Sequence, residues 1–155
     1  MELDKDFREF VELLNANEVE YLIVGGYSVA HHGFPRYTGD FDVWINPTEA
    51  NSQKMMKVLE QFGFGSLGIS KKDFLHPDKI VQFGVEPLRI DVITAIDGIG
   101  KFSDAYPNRD RARYDQLKIN FIGYQDLIQN KKASARLQDQ RDVQELEKVR
   151  KERNK

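Results

Sequence analysis

Residues 21–46, YLIVGGYSVAHHGFPRYTGDFDVWIN, place two glycines directly after one apolar run and two aspartates inside the next. The two apolar runs predict buried strands, and the varied sequence that begins at the glycines predicts a short helix. Side chains alternate faces along a strand, so Asp40 and Asp42 point the same way, with Cα atoms roughly 7 Å apart. Two carboxylates on a buried strand repel each other and lose hydration, so they need a compensating partner.

The negative charge of Asp40 and Asp42 can be offset in two ways. The pair either lies solvated at a strand edge or against an arginine, or it binds a divalent metal through its oxygens. A third acid, Asp91 in PLRIDVITAI, lies on a later apolar strand, where Arg89 or Arg36 is an alternative partner. Three acids on two apolar strands favour a cage for two divalent ions, which activates an attacking oxygen and neutralises a leaving phosphate.

The glycine pair also has two interpretations. Gly25 and Gly26 stand between a strand and a helix, where backbone N–H groups can approach a phosphate. Glycines in such a turn also serve packing alone. The stretch has neither the G-x-G-x-x-G dinucleotide fingerprint nor the G-K-[ST] of a Walker loop. Ser28 either lines a nucleotide pocket or packs in the helix, and Arg36 and Thr38 contact either phosphates or the carboxylates.

The rest of the chain predicts a mixed sheet with helices on its faces, an α/β (α+β) fold in one domain, residues 1–155. Asn46-Pro47-Thr48-Glu49 predicts the start of a helix, with Asn46 as its N-cap, and Gly63 predicts its end. The remaining predictions are a helix over 4–16, two strands broken around Glu86-Pro87, a short strand in DQLKINFIG, and a helical closing segment, 124–151, made of helices 124–134 and 138–151.

Two adjacent lysines in the closing segment have different surroundings. Helical spacing places Lys131 on the apolar face of Leu127 and Ile128, and turns Lys132 towards solvent. A lysine on an inward face needs an anion, which is either a protein carboxylate or a nucleotide phosphate. The helical spacing of Arg136, Asp139 and Asp142 predicts an ion network that ties the two closing helices together.

Two other groups are interpreted as structural. His31 and His32 are adjacent on a predicted helix, so we expect their rings to diverge and not to share a metal. The stretch NRDRARYD, with three arginines separated by other residues, predicts a solvated loop, and a patch that binds an acceptor is the alternative. The arginines are Arg109, Arg111 and Arg113.

Composition narrows the class of protein. The chain has 155 residues, 40% of them apolar, no cysteine and a formal net charge of −2. It therefore holds neither a disulfide scaffold nor a thiolate metal site, and any recognition of anions must be local. The acidic, amphipathic N-terminus and the lack of a long apolar run indicate no signal peptide and no membrane span. We expect a cytoplasmic protein.

The order of these features resembles the polymerase-β-type nucleotidyltransferase superfamily. Its pattern is a strand, Gly-Gly or Gly-Ser, a short helix, Asp-x-Asp on the next strand, and a third acid on a later strand. Here the pattern reads VGGYSVAHHGFPRYTGDFDVWI and LRIDVI. The chain is similar to small bacterial nucleotidyltransferase-like proteins, some of them related to toxin–antitoxin enzymes, over residues 20–146. Relatives often have Arg-Pro-Lys-Asp where this chain has Arg-Leu-Gln-Asp, at 136–139.

The resemblance implies an enzyme that transfers a nucleoside monophosphate from a nucleoside triphosphate to a hydroxyl of RNA, protein or a small molecule. Asp40, Asp42 and Asp91 would be catalytic and would hold Mg²⁺ or Mn²⁺, as two ions. The alternative is a non-catalytic nucleotide-binding or partner-binding member of a toxin–antitoxin-like pair. The residues expected at the nucleotide are Gly25, Gly26, Ser28, Arg36, Thr38 and Lys131.

Overall fold

A computed structural model describes residues 3–65, 67–77, 79–85 and 88–155, with only the backbone of Val85 described. Its strands are β1 (Tyr21–Val24), β2 (Asp40–Ile45), β3 (Ile80–Val85), β4 (Leu88–Ile93), β5 (Asp110–Tyr114) and β6 (Leu117–Phe121). They form one mixed sheet in the order β3-β4-β2-β1-β6-β5. β1 is parallel to β6 and β2 is parallel to β4, while the other neighbours are antiparallel.

Helices cover both faces of the sheet. They are α1 (Lys5–Ala16), α2 (Gly25–His31), α3 (Glu49–Phe62), α4 (Phe102–Ala105), α5 (Tyr124–Lys132) and α6 (Leu137–Arg153). One apolar core joins α1 and α3 to the sheet, and a second joins α5 and α6 to its other face. The predicted mixed sheet flanked by helices is confirmed. No helix in the described part of the chain has both the length and the apolar character to cross a bilayer.

The alternation along β2 separates its acids from its core residues. Phe41, Val43 and Ile45 are buried in the first core, as the period of two predicts. Trp44 is buried in the second core, against Phe102 of α4. The two aspartates of β2 share the face of Trp44, so they lie on the side of the sheet that α5 and α6 cover.

The first helix follows the predicted pattern. Asp4 caps α1 by accepting a hydrogen bond from the backbone N–H of Asp6 at 2.8 Å. Phe10, Val11 and Leu14, at the spacing of one helical face, are fully buried. Truncating one such side chain costs about 2–5 kcal/mol of folding free energy, because the helix is held by this buried face.

The start of α3 differs from the prediction. Thr48, not Asn46, is the N-cap, and its hydroxyl accepts from the N–H of Asn51 at 3.2 Å. The Asn46 amide donates instead to Glu20 at 2.9 Å, which fixes the end of β2 beside the start of β1. The predicted end at Gly63 is confirmed, with φ of 95° in the left-handed region.

The stretch predicted as a solvated loop is a strand. β5 pairs antiparallel with β6, across a turn in which Asp115 has φ of 58°. Arg111 and Arg113 are exposed, whereas Ala112 and Tyr114 are half-buried and pack on the first core. The loop interpretation was wrong because an edge strand with one solvated face needs few apolar residues. The predicted break at Glu86-Pro87 lies outside the described residues.

Candidate active site

The end of β1 meets the beginning of β2 at the centre of the sheet. Val24 pairs in register with Asp42, and Asp42 pairs in register with Asp91 on β4. α2 begins at Gly25, immediately after β1. The first glycine of the pair and the second and third acids of the sequence pattern therefore stand side by side across three strands.

The two glycines are required for different reasons. Gly25 has φ of +67°, and a Cβ atom there would lie 2.1 Å from Oδ2 of Asp42. Gly26 is not among the described residues with positive φ. A Cβ atom on Gly26 would instead lie 2.5 Å from Oγ1 and 2.7 Å from Cβ of Thr38. Gly25 thus leaves room for the Asp42 carboxylate, and Gly26 lets the segment that precedes β2 pack against α2.

Arg89 lies between the first and third acids. Its Nη2 donates to Oδ2 of Asp40 at 2.9 Å, and its Nε donates to Oδ1 of Asp91 at 3.0 Å. The same Nη2 also lies 3.5 Å from Oδ2 of Asp91. The three acids of the predicted cage are therefore brought together, since two carboxylates contact one guanidinium and the third is in register with Asp91.

Asp42 differs from the other two acids. Among the described residues, none forms a hydrogen bond or an ion pair with the Asp42 carboxylate. Burial, followed by repulsion from Asp91 and Asp40, raises the pKa of Asp42 to about 6, against the weaker opposite effect of Lys131 and Arg89. A nearby cation would therefore stabilise the ionised form of Asp42.

A cavity of about 660 Å³ opens above these residues. Asp42 and Asp91 line it from the sheet and Gly25 lines it from the start of α2, while α5, α6 and the segment after β4 supply other parts of its wall. Lys131 of α5 and Arg136, which directly precedes α6, are among the lining residues. Carboxylate oxygens that face such a cavity are the donors that Mg²⁺ and Mn²⁺ prefer, so the residues present fit a divalent ion.

Five charged residues in and next to the cavity wall form one ion network. Arg36 donates two hydrogen bonds to Asp142, both at 2.9 Å. Lys131, which is 4% exposed, contacts Asp139 at 2.7 Å and Asp142 at 3.2 Å. Arg136 donates to Asp139 at 3.0 Å. The structure therefore gives the inward lysine protein carboxylates as partners and confirms the predicted network.

The network holds its two aspartates in the ionised form. Burial raises the pKa of Asp139, but hydrogen bonds from Arg136 and Lys131 outweigh it and hold that pKa well below its ordinary value. Burial likewise acts against Asp142, whose pKa is lowered by hydrogen bonds from Arg36 and Gln138 and by the charge of Lys131. The Gln138 amide donates to Asp142 at 2.8 Å.

The residues expected at the nucleotide divide into two groups. Gly25 and Lys131 line the cavity, whereas Gly26, Ser28, Arg36 and Thr38 are not among its described lining residues. Ser28 is fully buried and its hydroxyl donates to the carbonyl of Gly25 at 2.7 Å. Of the two interpretations of Ser28, the structure therefore supports packing within the helix.

Sequence reasoning missed two residues of the cavity wall. Lys79, which precedes β3, and Asn130, on α5, both line the cavity. Lys79 pairs with Asp73, and the Asn130 amide donates to the carbonyl of Asp97 at 2.9 Å. Neither position has a spacing signal, because the fold alone brings the segment before β3 close to α5.

The two histidines lie closer together than predicted. Their ring centroids are 5.0 Å apart, and ring nitrogens of both lie within 4.8 Å of each other and of an Asp110 carboxylate oxygen. His31 contacts Tyr114 at 2.6 Å and Asp110 at 2.7 Å, and His32 contacts the Ile122 carbonyl at 2.7 Å. The prediction of divergent rings was wrong. These contacts tie the far end of α2 to β5 and to the end of β6.

Comparison with known proteins supports the fold. The sequence matches no family model and no curated protein. TM1012 from Thermotoga maritima, a candidate nucleotidyltransferase, aligns with a TM-score of 0.55 at 15% identity, over 96% of this chain and 90% of its own. The lincosamide antibiotic adenylyltransferase LnuA, solved with lincomycin bound, aligns with a TM-score of 0.57 at 16% identity, over 94% of this chain and 96% of its own. The chain therefore shares its fold, a mixed sheet flanked by helices, with these two nucleotidyltransferase structures.

Proposed function

We propose that the protein is a metal-dependent nucleotidyltransferase. It transfers a nucleoside monophosphate from a nucleoside triphosphate to a hydroxyl of RNA, protein or a small molecule, and releases pyrophosphate. The observation that carries this proposal is the Asp42 carboxylate, which lies in register with Asp91 and faces the cavity beside the Gly25 turn. An acid whose pKa is raised by burial and by neighbouring acids, at the wall of a cavity, is typical of a functional site.

The acids of the site would hold the ion. Asp42 and Asp91 offer oxygens at the cavity floor, and Gly25 leaves the space that the Asp42 carboxylate needs. When bound, Mg²⁺ or Mn²⁺ lowers the pKa of an attacking hydroxyl and offsets charge on the transferred phosphate. The Asp91 carboxylate, beside the glycine turn, would also accept the proton of that hydroxyl.

The triphosphate would contact the accessible cations of the cavity. The Arg136 side chain is 75% exposed and the Lys79 side chain is 53% exposed, although each has one carboxylate partner. Lys131 is enclosed between two carboxylates and Arg36 is bound to Asp142. We therefore assign the phosphate contacts to Arg136 and Lys79, and assign support of the cavity wall to the two enclosed cations.

A second candidate is a non-catalytic nucleotide-binding or partner-binding module, as in a toxin–antitoxin-like pair. The contacts of Arg89 favour it, because this side chain already pairs with both Asp40 and Asp91 without any ion. A module that only binds has no need of Asp42 as a further acid, so the unpartnered carboxylate favours the enzyme.

Label transfer tests the proposal. The protein is incubated with each α-labelled nucleoside triphosphate, Mg²⁺ or Mn²⁺, and total RNA, total protein or a small-molecule panel that includes lincomycin, the compound bound in LnuA. We expect transfer by the wild type and by Asp115→Asn, an exposed control, and none by Asp42→Asn. Nucleotide binding in calorimetry without transfer to any acceptor would instead support the binding module.

A further inference from the structure

Arg89 occupies a position between two acids that the sequence pattern assigns to metal. In the β2–β4 register it pairs with Asp40, one step along the same face from the Asp42–Asp91 pair. Its guanidinium reaches Asp40 with one nitrogen and Asp91 with another, at 2.9 and 3.0 Å. The side chain is 30% exposed, so these bonds are only partly screened by water.

The guanidinium and a bridging ion compete for one place. Oxygens of Asp40 and Asp91 both lie within 3.5 Å of Nη2 of Arg89. A divalent ion that bridged them would need both oxygens at about 2.0–2.6 Å, in the space where that nitrogen lies. Asp42, by contrast, has no such contact with Arg89 among the described atoms, and its carboxylate is open to the cavity.

The charges in the site agree with this division. A second divalent ion would add like charge next to Arg89, which is unfavourable until anionic phosphates enter.

We propose that the protein without nucleotide binds one divalent ion, at Asp42 and Asp91, and that Arg89 takes the place of a second ion between Asp40 and Asp91. This inference rests on the proposed function, and it narrows the two-ion expectation that the resemblance implies. In this arrangement Asp40 pairs with Arg89 and does not bind the ion, whereas Asp42 and Asp91 do.

Manganese titration tests the inference with a readout that does not depend on activity. Bound Mn²⁺ per chain is counted by electron paramagnetic resonance and by calorimetry, in the absence of nucleotide. We expect one ion for the wild type and two for Arg89→Met, with the second at least about tenfold tighter than any weak second site in the wild type. Arg89→Lys keeps the positive charge and should retain one ion. Arg111→Met, an exposed arginine on the far edge strand, is the matched control and should also retain one.

Two further variants keep the inference testable if Arg89→Met fails to fold. Asp42→Asn should lose the ion, and Asp40→Asn should keep it. Two ions of similar affinity in the wild type, or unchanged stoichiometry and affinity in folded Arg89→Met, would overturn the inference. Neither result touches the proposed function, which the label-transfer experiment decides. Absence of any Mn²⁺ binding to the wild type without nucleotide would also overturn the inference, and label transfer would still decide the proposed function.

Discussion

Gly26 is packed against Thr38 so closely that a Cβ atom at position 26 would lie 2.7 Å from the Cβ atom of the threonine. Gly26→Ala should therefore destabilise the fold by about 1–3 kcal/mol, because either α2 or the segment before β2 must move. Thr38→Gly in the same chain should recover part of that loss. Urea midpoints measure both effects. Gly100→Ala is the control, since the first atom that its Cβ atom meets lies at 4.0 Å. Equal urea midpoints for Gly26→Ala and Gly100→Ala would show that the close packing of Gly26 against Thr38 does not affect stability.

The second prediction concerns Asp42, whose pKa is raised to about 6. An acid with a raised pKa in the folded state opposes folding once it ionises, so its cost appears as pH rises from about 4 through 6. In the presence of a chelator, Asp42→Asn should be more stable than the wild type at pH 7.5, by on the order of 1 kcal/mol after allowance for water in the cavity. At pH 4 the difference should vanish.

The same variant should bind Mn²⁺ far more weakly than the wild type. Asp115→Asn is the control for both measurements, because the Asp115 side chain is 88% exposed and asparagine tolerates its positive φ. Stability that is equal for Asp42→Asn and wild type at both pH values would show that the carboxylate is well solvated.

The third prediction separates two adjacent lysines. Lys131→Ala removes a buried cation from between Asp139 and Asp142 and should cost about 3–5 kcal/mol, because the two carboxylates lose compensation. Lys132 is 61% exposed and contacts Glu147 at 3.4 Å, so Lys132→Ala should cost about 0–1 kcal/mol. Urea unfolding measures both. Similar small losses would mean that water compensates the carboxylates when Lys131 is absent.

The fourth prediction concerns acid. The pKa values of Asp139 and Asp142 are lowered in the folded state, so the stability they give is present above their ordinary pKa and is lost as pH falls below about 4. The free energy of unfolding should therefore fall between pH 4 and 2. In Asp142→Asn the free energy of unfolding should fall less steeply with decreasing pH, by up to about 1.4 kcal/mol per pH unit. The reason is that one carboxylate fewer takes up a proton on unfolding. Identical slopes would show that Asp142 is not held ionised by the network.

The sequence predicted the strands and helices whose buried face can be identified from the local spacing of apolar residues. DFDVWI predicted a strand with the bounds that β2 has, because a period of two with core residues on one face leaves one register. Lys131 was placed on an inward face correctly, because helical spacing is local. In each case the information lies within a few residues of the position.

What the sequence could not predict depends on contacts between distant segments. The partners of Arg36 and Lys131 lie on α6, and no local pattern distinguishes a carboxylate there from a phosphate. β5 was missed because its stability comes from pairing with β6, not from its own polar residues. The place of Arg89 between two acids follows from the β2–β4 register, which the sequence leaves open.

The bond between Arg36 and Asp142 joins positions 106 residues apart and has a consequence for the nascent chain. A ribosome adds about 5–20 residues per second, so Asp142 is made roughly 5–20 s after Arg36. By the end of that interval β1, β2 and β4 have been made, but the segment that leads into Asp40 still lacks the bond between Arg36 and Asp142. Ribosome-bound chains stalled before α6 should therefore be cut by protease between residues 32 and 39 much faster than the released protein. Equal cutting rates would show that this segment is ordered without the last helix.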